Sequence, residues 1–230
     1  MGNPLNMKRF FTNSREDLLV KICGIKNQAE AGAAIAGGAD ALGFNLYPGS
    51  KRFLELAREE NWIRELPPEI SRIAVLANPE IKEVLALLQT DTFDAIQIHG
   101  AESPDFFKKI PPDAKPLIKA FRVKNRGSLR DAALYPVFAF LLDSYREGSF
   151  GGTGESFDWS IAEKLGLSKP IVVAGGLTAG NVGAVVRLLR PYAVDVASGV
   201  EDSEGRKEET RIRQFVQAAK LAIKQVRTED

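Results

Sequence analysis

The single cysteine of the sequence and one of its aspartates stand where apolar runs end. Cys23 closes the run that begins at residue 18, and Asp143 closes a run that leads into the glycine-rich segment 148–154. A reactive thiol must be partly ionised near neutral pH, and a carboxyl group in a half-dry pocket can stay protonated and act as an acid. We therefore treat both as candidate reacting groups. The alternatives are a buried small thiol and a carboxylate that caps the following loop.

Two further polar side chains stand at run ends. Arg52 follows the second run, where a guanidinium suits a bidentate clamp for a substrate carboxylate, although a solvated loop charge also fits this position. His99 ends the fourth run and, from its position alone, fits a hydrogen-bonded structural histidine better than a catalyst.

Glycines mark the ends of the last two runs. Gly175 and Gly176 follow the seventh run, and Ser198 and Gly199 end the eighth. Backbone N–H groups beside glycines can approach an anion closely, and a nearby helix start adds partial positive charge. Either pair alone fits a tight turn, but both pairs in the last two units predict a phosphate site.

Eight apolar, β-branched runs position these residues, and each is typical of a strand covered on both sides. They span residues 18–23, 41–47, 72–77, 95–99, 116–123, 137–143, 171–174 and 194–198. Helical patterns lie between and after them, two of which start at Asn78-Pro79 and Ser103-Pro104. The predicted helices cover residues 29–36, 55–66, 79–88, 106–110, 128–134, 158–165, 179–189 and 208–226.

Strand followed by helix predicts either a closed parallel barrel or a doubly wound open sheet. Eight units, without a dinucleotide-binding or P-loop motif, favour an α/β fold of the single-domain (β/α)8 TIM barrel type. Lys21 shares a strand face with Cys23, one layer deeper, and a charged lysine there needs a partner. Because the eighth strand of a closed barrel neighbours the first, we expect Lys21 to pair with Asp195 beneath the site.

Composition excludes several classes of function. The chain has 230 residues, a net charge of +1, one cysteine and one histidine. Near-zero charge gives no reason to expect nucleic acid as a partner, and one cysteine and one histidine argue against the usual zinc site. No apolar run approaches the ~20 residues that span a bilayer, and a lone cysteine favours a reducing compartment, so we expect a cytoplasmic protein.

The chain ends are expected to lie outside the barrel. We assign residues 18–226 to the barrel, 1–17 to an N-terminal extension and 227–230 to a frayed tail. The extension, which carries Phe10 and Phe11, is too short and polar for a secretory signal. We expect it to form a surface turn or a disordered start, and a weak targeting remnant is the less favoured alternative.

Sequence motifs follow the run ends in a characteristic order. They occupy residues 21–25, 38–44, 47–52, 96–100, 142–143, 151–154 with 157–159, 174–177 and 195–201. In this order they resemble the phosphoribosylanthranilate isomerase family, barrel enzymes of tryptophan biosynthesis, over residues 19–220. The resemblance departs in the long N-terminal lead, in Glu155 where a lysine is common, and in Ala197 where a serine is common.

The resemblance implies an Amadori rearrangement of N-(5′-phosphoribosyl)anthranilate to 1-(o-carboxyphenylamino)-1-deoxyribulose 5-phosphate. It implies that Asp143 is the general acid at the furanose ring oxygen and that Cys23 is the general base at C2′. The iminium intermediate is its own electron sink, so no metal or organic cofactor is expected.

The same resemblance assigns the substrate contacts. Arg52 is expected to face the anthranilate carboxylate, and His99 and Asp195 to line the substrate site. The phosphate is expected at Gly175, Gly176, Ser198 and Gly199. The partner is then a small phosphorylated substrate, and the assembly a monomer or a homodimer.

Other readings stay open at this point. The histidine-pathway isomerase, indole-glycerol-phosphate synthase and ribulose-phosphate epimerase are related barrels, but none is expected to place a cysteine at the end of the first strand. An inactive barrel that serves as a binding module is a rival of another class. Against it stand the acid, the base, the arginine and the phosphate loops, all of which are present.

Overall fold

The molecule is a closed barrel of eight parallel strands. A computed structural model describes residues 9–11, 18–144 and 169–229. The strands are β1 (Leu19–Cys23), β2 (Ala41–Asn45), β3 (Ser71–Leu76), β4 (Ala95–His99), β5 (Leu117–Val123), β6 (Ala139–Ser144), β7 (Ile171–Ala174) and β8 (Ala193–Val196). They lie in sequence order, and β8 pairs with β1 to close the barrel. The predicted (β/α)8 barrel is thereby confirmed.

Helices cover the outside of the strands. Those in the described part of the chain are α1 (Gln28–Ala36), α2 (Leu56–Arg64), α3 (Ile81–Leu88), α4 (Pro104–Phe107), α5 (Val182–Leu189) and α6 (Glu209–Glu229). The larger hydrophobic cluster contains side chains of both strands and helices, and a second cluster fills the barrel interior. Within the described residues, no helix is long and apolar enough to cross a bilayer.

The start of α3 differs from the prediction. The helix expected from Pro79 begins at Ile81, because Glu80 is the capping residue and its N–H donates to the Glu83 carboxylate at 2.7 Å. Asn78 adopts a left-handed backbone conformation with φ of 47°. Its side-chain oxygen accepts the N–H of Ala101 at 3.2 Å, so the asparagine ties together the loops after β3 and β4 instead of capping a helix.

Other helix predictions also need correction, among them the one over 106–110, since α4 covers Pro104–Phe107. The helix expected over 128–134 is wrong, since two 3-10 helices, Arg126–Leu129 and Ala132–Leu134, occupy this stretch. The Ser128 hydroxyl accepts the N–H of Lys124 at 3.1 Å, and such side-chain bonds compete with a regular helix. Helix α5 begins three residues later than expected, and α6 continues to Glu229, so the tail is helical through that residue and not frayed. The helix expected over 158–165 lies outside the described residues.

The amino end of the barrel is lined by a layer of small side chains. It consists of the first residues of the four even-numbered strands, which are Ala41, Ala95, Ala139 and Ala193, all fully buried. Alternate strands of such barrels contribute the side chains of one layer. Because alanine side chains are small, this layer leaves room for side chains from outside the strands.

Residues 9–11 fill this space, whereas a surface turn or a disordered start was expected for the N-terminal extension. Residues Arg9–Phe11 form a 3-10 turn, and Phe10 and Phe11 are 0% and 3% exposed. Both belong to the interior cluster that includes the four alanines. The Tyr192 hydroxyl, just before β8, donates to the Phe10 carbonyl at 2.6 Å. We call Phe10 and Phe11 the aromatic plug.

Candidate active site

The carboxyl ends of the strands bring together the charged residues that the sequence singled out. Lys21 Nζ donates to Asp195 Oδ1 at 2.8 Å, and the two residues are directly paired between β1 and β8. Lys21 is fully buried and Asp195 is 7% exposed. The predicted pair beneath the site is therefore confirmed. Burial lowers the pKa of Lys21, but Asp195 and Cys23 more than offset this and raise it above its ordinary value, so the ammonium stays charged.

Cys23 lies one layer above this ammonium. A Cβ atom placed on Gly43 of the neighbouring strand would come within 2.8 Å of Lys21 Nζ and 2.9 Å of Cys23 Sγ, so only glycine leaves room for both groups. Burial raises the pKa of the Cys23 thiol, whereas the Lys21 ammonium opposes that rise. Lys21 is thus the nearby cation that favours a thiolate, although burial outweighs it here.

Asp143 stands at the end of β6. Burial, aided by the like charge of Asp195, raises the pKa of the Asp143 carboxyl to about 6, and Arg122 on β5 opposes this rise only in part. A carboxyl group with this pKa holds its proton far more readily than an ordinary aspartate does. The half-dry setting expected for Asp143 is therefore present; the loop that it was alternatively expected to cap lies outside the described residues.

His99 faces Asp143 at the mouth of the barrel, which is the open end formed by the carboxyl ends of the strands. Its Nε2 lies 3.8 Å from Asp143 Oδ2, too far for a hydrogen bond, and finds no other partner among the described residues. Burial, together with the nearby charges of Arg122 and Lys119, lowers the pKa of His99 to about 4. The imidazole is therefore neutral near pH 7. At Nε2, the expected structural hydrogen bond is not made within the described part of the chain.

Arg52 crosses the turn after Cys23 and is held by an ion pair that the sequence did not predict. Its Nε donates to Glu201 Oε1 at 2.5 Å and its Nη2 to Glu201 Oε2 at 2.7 Å. Lys207 Nζ donates to the same Glu201 Oε1 at 2.8 Å. Burial raises the pKa of Glu201, but the hydrogen bonds from Arg52 and Lys207 outweigh burial and lower it to about 2.

Glu201 and Lys207 are the polar residues that sequence reasoning missed as members of the site. Glu201 belongs to the motif over residues 195–201, and an acidic residue within a glycine-containing loop motif is the one available signal. Lys207 offers no comparable signal, since it lies in a polar stretch typical of a solvated loop, yet its side chain is fully buried.

The loops after β7 and β8 meet at the predicted phosphate site. Gly175 and Gly176 adopt φ angles of +91° and +63°. A Cβ atom on Gly199 would collide with the carbonyl oxygen of Leu177, so a glycine is needed for the two loops to touch. Within the described residues, no loop hydrogen bond is donated by the backbone N–H groups of Gly175, Gly176, Ser198 or Gly199. Several N–H donors therefore gather at one edge of the mouth.

No group of three or more His, Cys, Asp or Glu side chains suited to a metal ion occurs among the described residues. The mouth contains a thiol beside a buried ammonium, a carboxyl group with a raised pKa and a neutral imidazole. It also contains a guanidinium that is paired with a glutamate, and a cluster of N–H donors. This set suits proton transfers on an anionic substrate.

The sequence of the chain matches a known protein family. The family model described as N-(5′-phosphoribosyl)anthranilate (PRA) isomerase matches residues 20–218. The chain belongs to this family. It is thus an isomerase of tryptophan biosynthesis, as the motifs predicted.

Individual relatives agree with the family assignment. The chain is 41% identical to the N-(5′-phosphoribosyl)anthranilate isomerase of Pelobacter propionicus over 87% of this chain and 95% of the relative. It is 43% identical to that of Acidithiobacillus ferrooxidans over 86% and 95%. Among solved structures, the family enzyme of Thermotoga maritima matches with a TM-score of 0.81 and 36% identity, over 88% of this chain and 98% of that one.

A second solved structure of the family holds a ligand. It is a complex with reduced 1-(o-carboxyphenylamino)-1-deoxyribulose 5-phosphate, and it matches with a TM-score of 0.76 and 35% identity over 88% of this chain and 98% of that one. The ligand carries a carboxylate at one end and a phosphate at the other.

Proposed function

We propose that this chain converts N-(5′-phosphoribosyl)anthranilate to 1-(o-carboxyphenylamino)-1-deoxyribulose 5-phosphate, with Asp143 as general acid and Cys23 as general base. The observation that carries the proposal is the carboxyl group of Asp143, whose pKa of about 6 suits an acid, at the same barrel mouth as the thiol. Family membership supports the reaction.

The acid step begins the reaction. Asp143 gives its proton to the furanose ring oxygen as the bond from that oxygen to C1′ breaks, and the nitrogen lone pair forms the iminium. General acids work best with a pKa near the working pH, and burial supplies that shift to Asp143. His99 is neutral because its pKa is lowered to about 4, so it lines the site without competing as a charged acid.

The base step follows. The Cys23 thiolate removes the proton from C2′, the C–H electron pair forms the C1′–C2′ double bond, and the iminium π electrons return to nitrogen. The resulting enol-amine tautomerises to the ketone product. Lys21, held charged by Asp195 at 2.8 Å, favours the thiolate against the effect of burial.

Two anchors hold the substrate across the mouth. The N–H donors around Gly176 and Gly199 suit the phosphate, because glycines let such groups approach an anion. Arg52 suits the anthranilate carboxylate, because a guanidinium binds carboxylates through two parallel hydrogen bonds. Asp195 and His99 complete the substrate site in this proposal.

The direct test follows the fluorescence of phosphoribosylanthranilate as purified protein consumes it. We expect a first-order decay that depends on enzyme concentration. A thiol-alkylating reagent should abolish it, and the reduced product analogue should slow the inactivation, because Cys23 is the sole thiol of the chain. A folded sample that gives no turnover contradicts the proposed reaction, and full activity after complete alkylation contradicts the role of Cys23.

A further inference from the structure

Glu201 occupies only one edge of the Arg52 guanidinium. Glu201 accepts from Nε and Nη2, which lie along one edge of the planar group. A guanidinium has five N–H donors, so three remain: the second hydrogen of Nη2 and one hydrogen of Nη1 form a further fork, and the other Nη1 hydrogen points to the side. Within the described residues, the guanidinium makes no hydrogen bond through Nη1. The grip of Glu201 thus fixes the orientation of Arg52 and leaves one fork for a ligand.

Glu201 also creates an electrostatic difficulty. A carboxylate paired with Arg52 cancels its charge, and a neutral pair attracts a ligand carboxylate poorly. Because its pKa is lowered to about 2, Glu201 is ionised throughout the working range of pH. Something must therefore offset the negative charge for Arg52 to act on an anion.

Lys207 offsets that charge. Its Nζ lies 2.8 Å from Glu201 Oε1, and its side chain is fully shielded from solvent. Two cations and one carboxylate leave the cluster of Arg52, Glu201 and Lys207 with one net positive charge. Because the cluster is largely buried, water screens that charge little.

The same lysine also contacts the loop that is predicted to bind the phosphate. Lys207 Nζ also donates to the carbonyl of Ala197 at 3.0 Å, directly before Ser198 in the predicted phosphate loop. Residues 201 and 207 form an antiparallel bridge, so the stretch between them closes on itself. One ammonium therefore contacts both the residue that holds Arg52 and the loop assigned to the phosphate.

We propose that Lys207 is a positioning residue of the carboxylate subsite: it neutralises Glu201, so that Arg52 is held in place and still presents a net positive charge to the carboxylate of the anthranilate ring. The inference rests on the function proposed above. Lys207 acts through Glu201 and Arg52 and does not itself touch the ligand carboxylate.

The test measures how strongly the protein prefers a ligand that carries this carboxylate. The probes are the reduced product analogue and its counterpart with a plain phenylamino group, and calorimetry gives Kd for both. In Lys207→Met we expect the preference for the carboxylate-bearing ligand to fall at least about tenfold, because an uncompensated buried charge on Glu201 then cancels Arg52. The affinity for the phenylamino ligand should change far less.

Lys26→Met is the matched control. Lys26 Nζ donates to the Gly205 carbonyl at 2.7 Å, so it anchors the same stretch, but it makes no described contact with Glu201 or Arg52. It should keep the wild-type preference. A Lys207→Met protein that keeps the wild-type preference, or one that loses affinity for both ligands equally, overturns the inference.

A double variant covers the case in which Lys207→Met does not fold. Glu201→Gln combined with Lys207→Met removes one charge of each sign and again leaves Arg52 with one net positive charge. We expect this protein to prefer the carboxylate-bearing ligand, and a loss of the preference overturns the inference. Turnover of phosphoribosylanthranilate by the wild type is measured alongside, so that failure of the proposed function is seen separately.

Discussion

The two ends of this barrel are made from opposite kinds of residue. At the amino end, four alanines and the aromatic plug form an apolar interior, and the one hydrogen bond described for the plug runs from Tyr192 to Phe10. At the carboxyl end, Lys21, Asp143 and Asp195 bring charge into a partly buried space. One end resembles an ordinary core, and the other holds groups that burial disfavours.

The contrast separates stability from function within one fold. Apolar burial at the amino end stabilises the folded chain, whereas a carboxyl with a raised pKa destabilises it whenever the carboxyl is ionised. We infer that the barrel tolerates buried charge at its carboxyl end because apolar side chains are buried together at its amino end. Substitutions at the carboxyl end should therefore change mainly the activity, and substitutions at the amino end mainly the free energy of unfolding.

The largest effect is expected from Cys23→Ser and from Asp143→Asn, which test whether the carboxyl end of the barrel determines activity. Each removes one proton-transfer group with little change of shape, so kcat should fall by about 100- to 10,000-fold with little change in the affinity for the product analogue. Steady-state fluorescence assays and calorimetry measure the two quantities. Turnover near the wild-type rate in either variant would show that the substituted residue is not the acid or base proposed.

The second effect tests the amino end. Phe10→Ala removes a fully buried ring, so the free energy of unfolding should fall by about 3–5 kcal/mol while kcat at low temperature stays near the wild-type value. Denaturant titration measures the loss. The control is Leu221→Ala, which truncates an apolar side chain that is 58% exposed and should cost within about 0.5 kcal/mol. Equal losses in the two variants would mean that the aromatic plug does not stabilise the barrel.

The smallest effect concerns the stability of Asp143→Asn as a function of pH. The folded-state pKa of Asp143, about 6, lies above the ordinary value of 3.8, so wild-type stability is reduced above pH 6 and this penalty disappears below pH 4. The variant should exceed the wild type by about 1–3 kcal/mol at pH 8 and by almost nothing at pH 4. Chemical denaturation at both pH values checks this. A gain that is the same at both pH values would assign it to packing and not to the charge.

Much of this architecture could be read from the sequence. The eight apolar runs predicted every strand of the barrel, because strands covered on both sides must be apolar along their length. The pairing of Lys21 with Asp195 followed from side-chain alternation and from closure, which makes the first and last strands neighbours. These features depend on local pattern and on topology, both of which the sequence displays.

Other features depend on contacts that no local pattern shows. The burial of Phe10 depends on the space above four alanines from four separate strands, and its own surroundings in sequence are polar. The Arg52–Glu201 pair joins loops that are 149 residues apart in sequence, and Lys207 enters it from a stretch that looks solvated. The helix expected over 128–134 failed for a different reason, since side-chain hydrogen bonds favoured two short 3-10 turns.

The aromatic plug also sets an order of events during synthesis. Phe10 precedes its hydrogen-bond donor Tyr192 by 182 residues, and Tyr192 lies next to the strand that closes the barrel. At ordinary rates of translation, roughly 10–40 s pass between the two residues. Throughout that interval the two aromatic rings have no finished cavity to enter. The aromatic plug is therefore synthesised well before it can dock, and its docking marks the completion of the barrel.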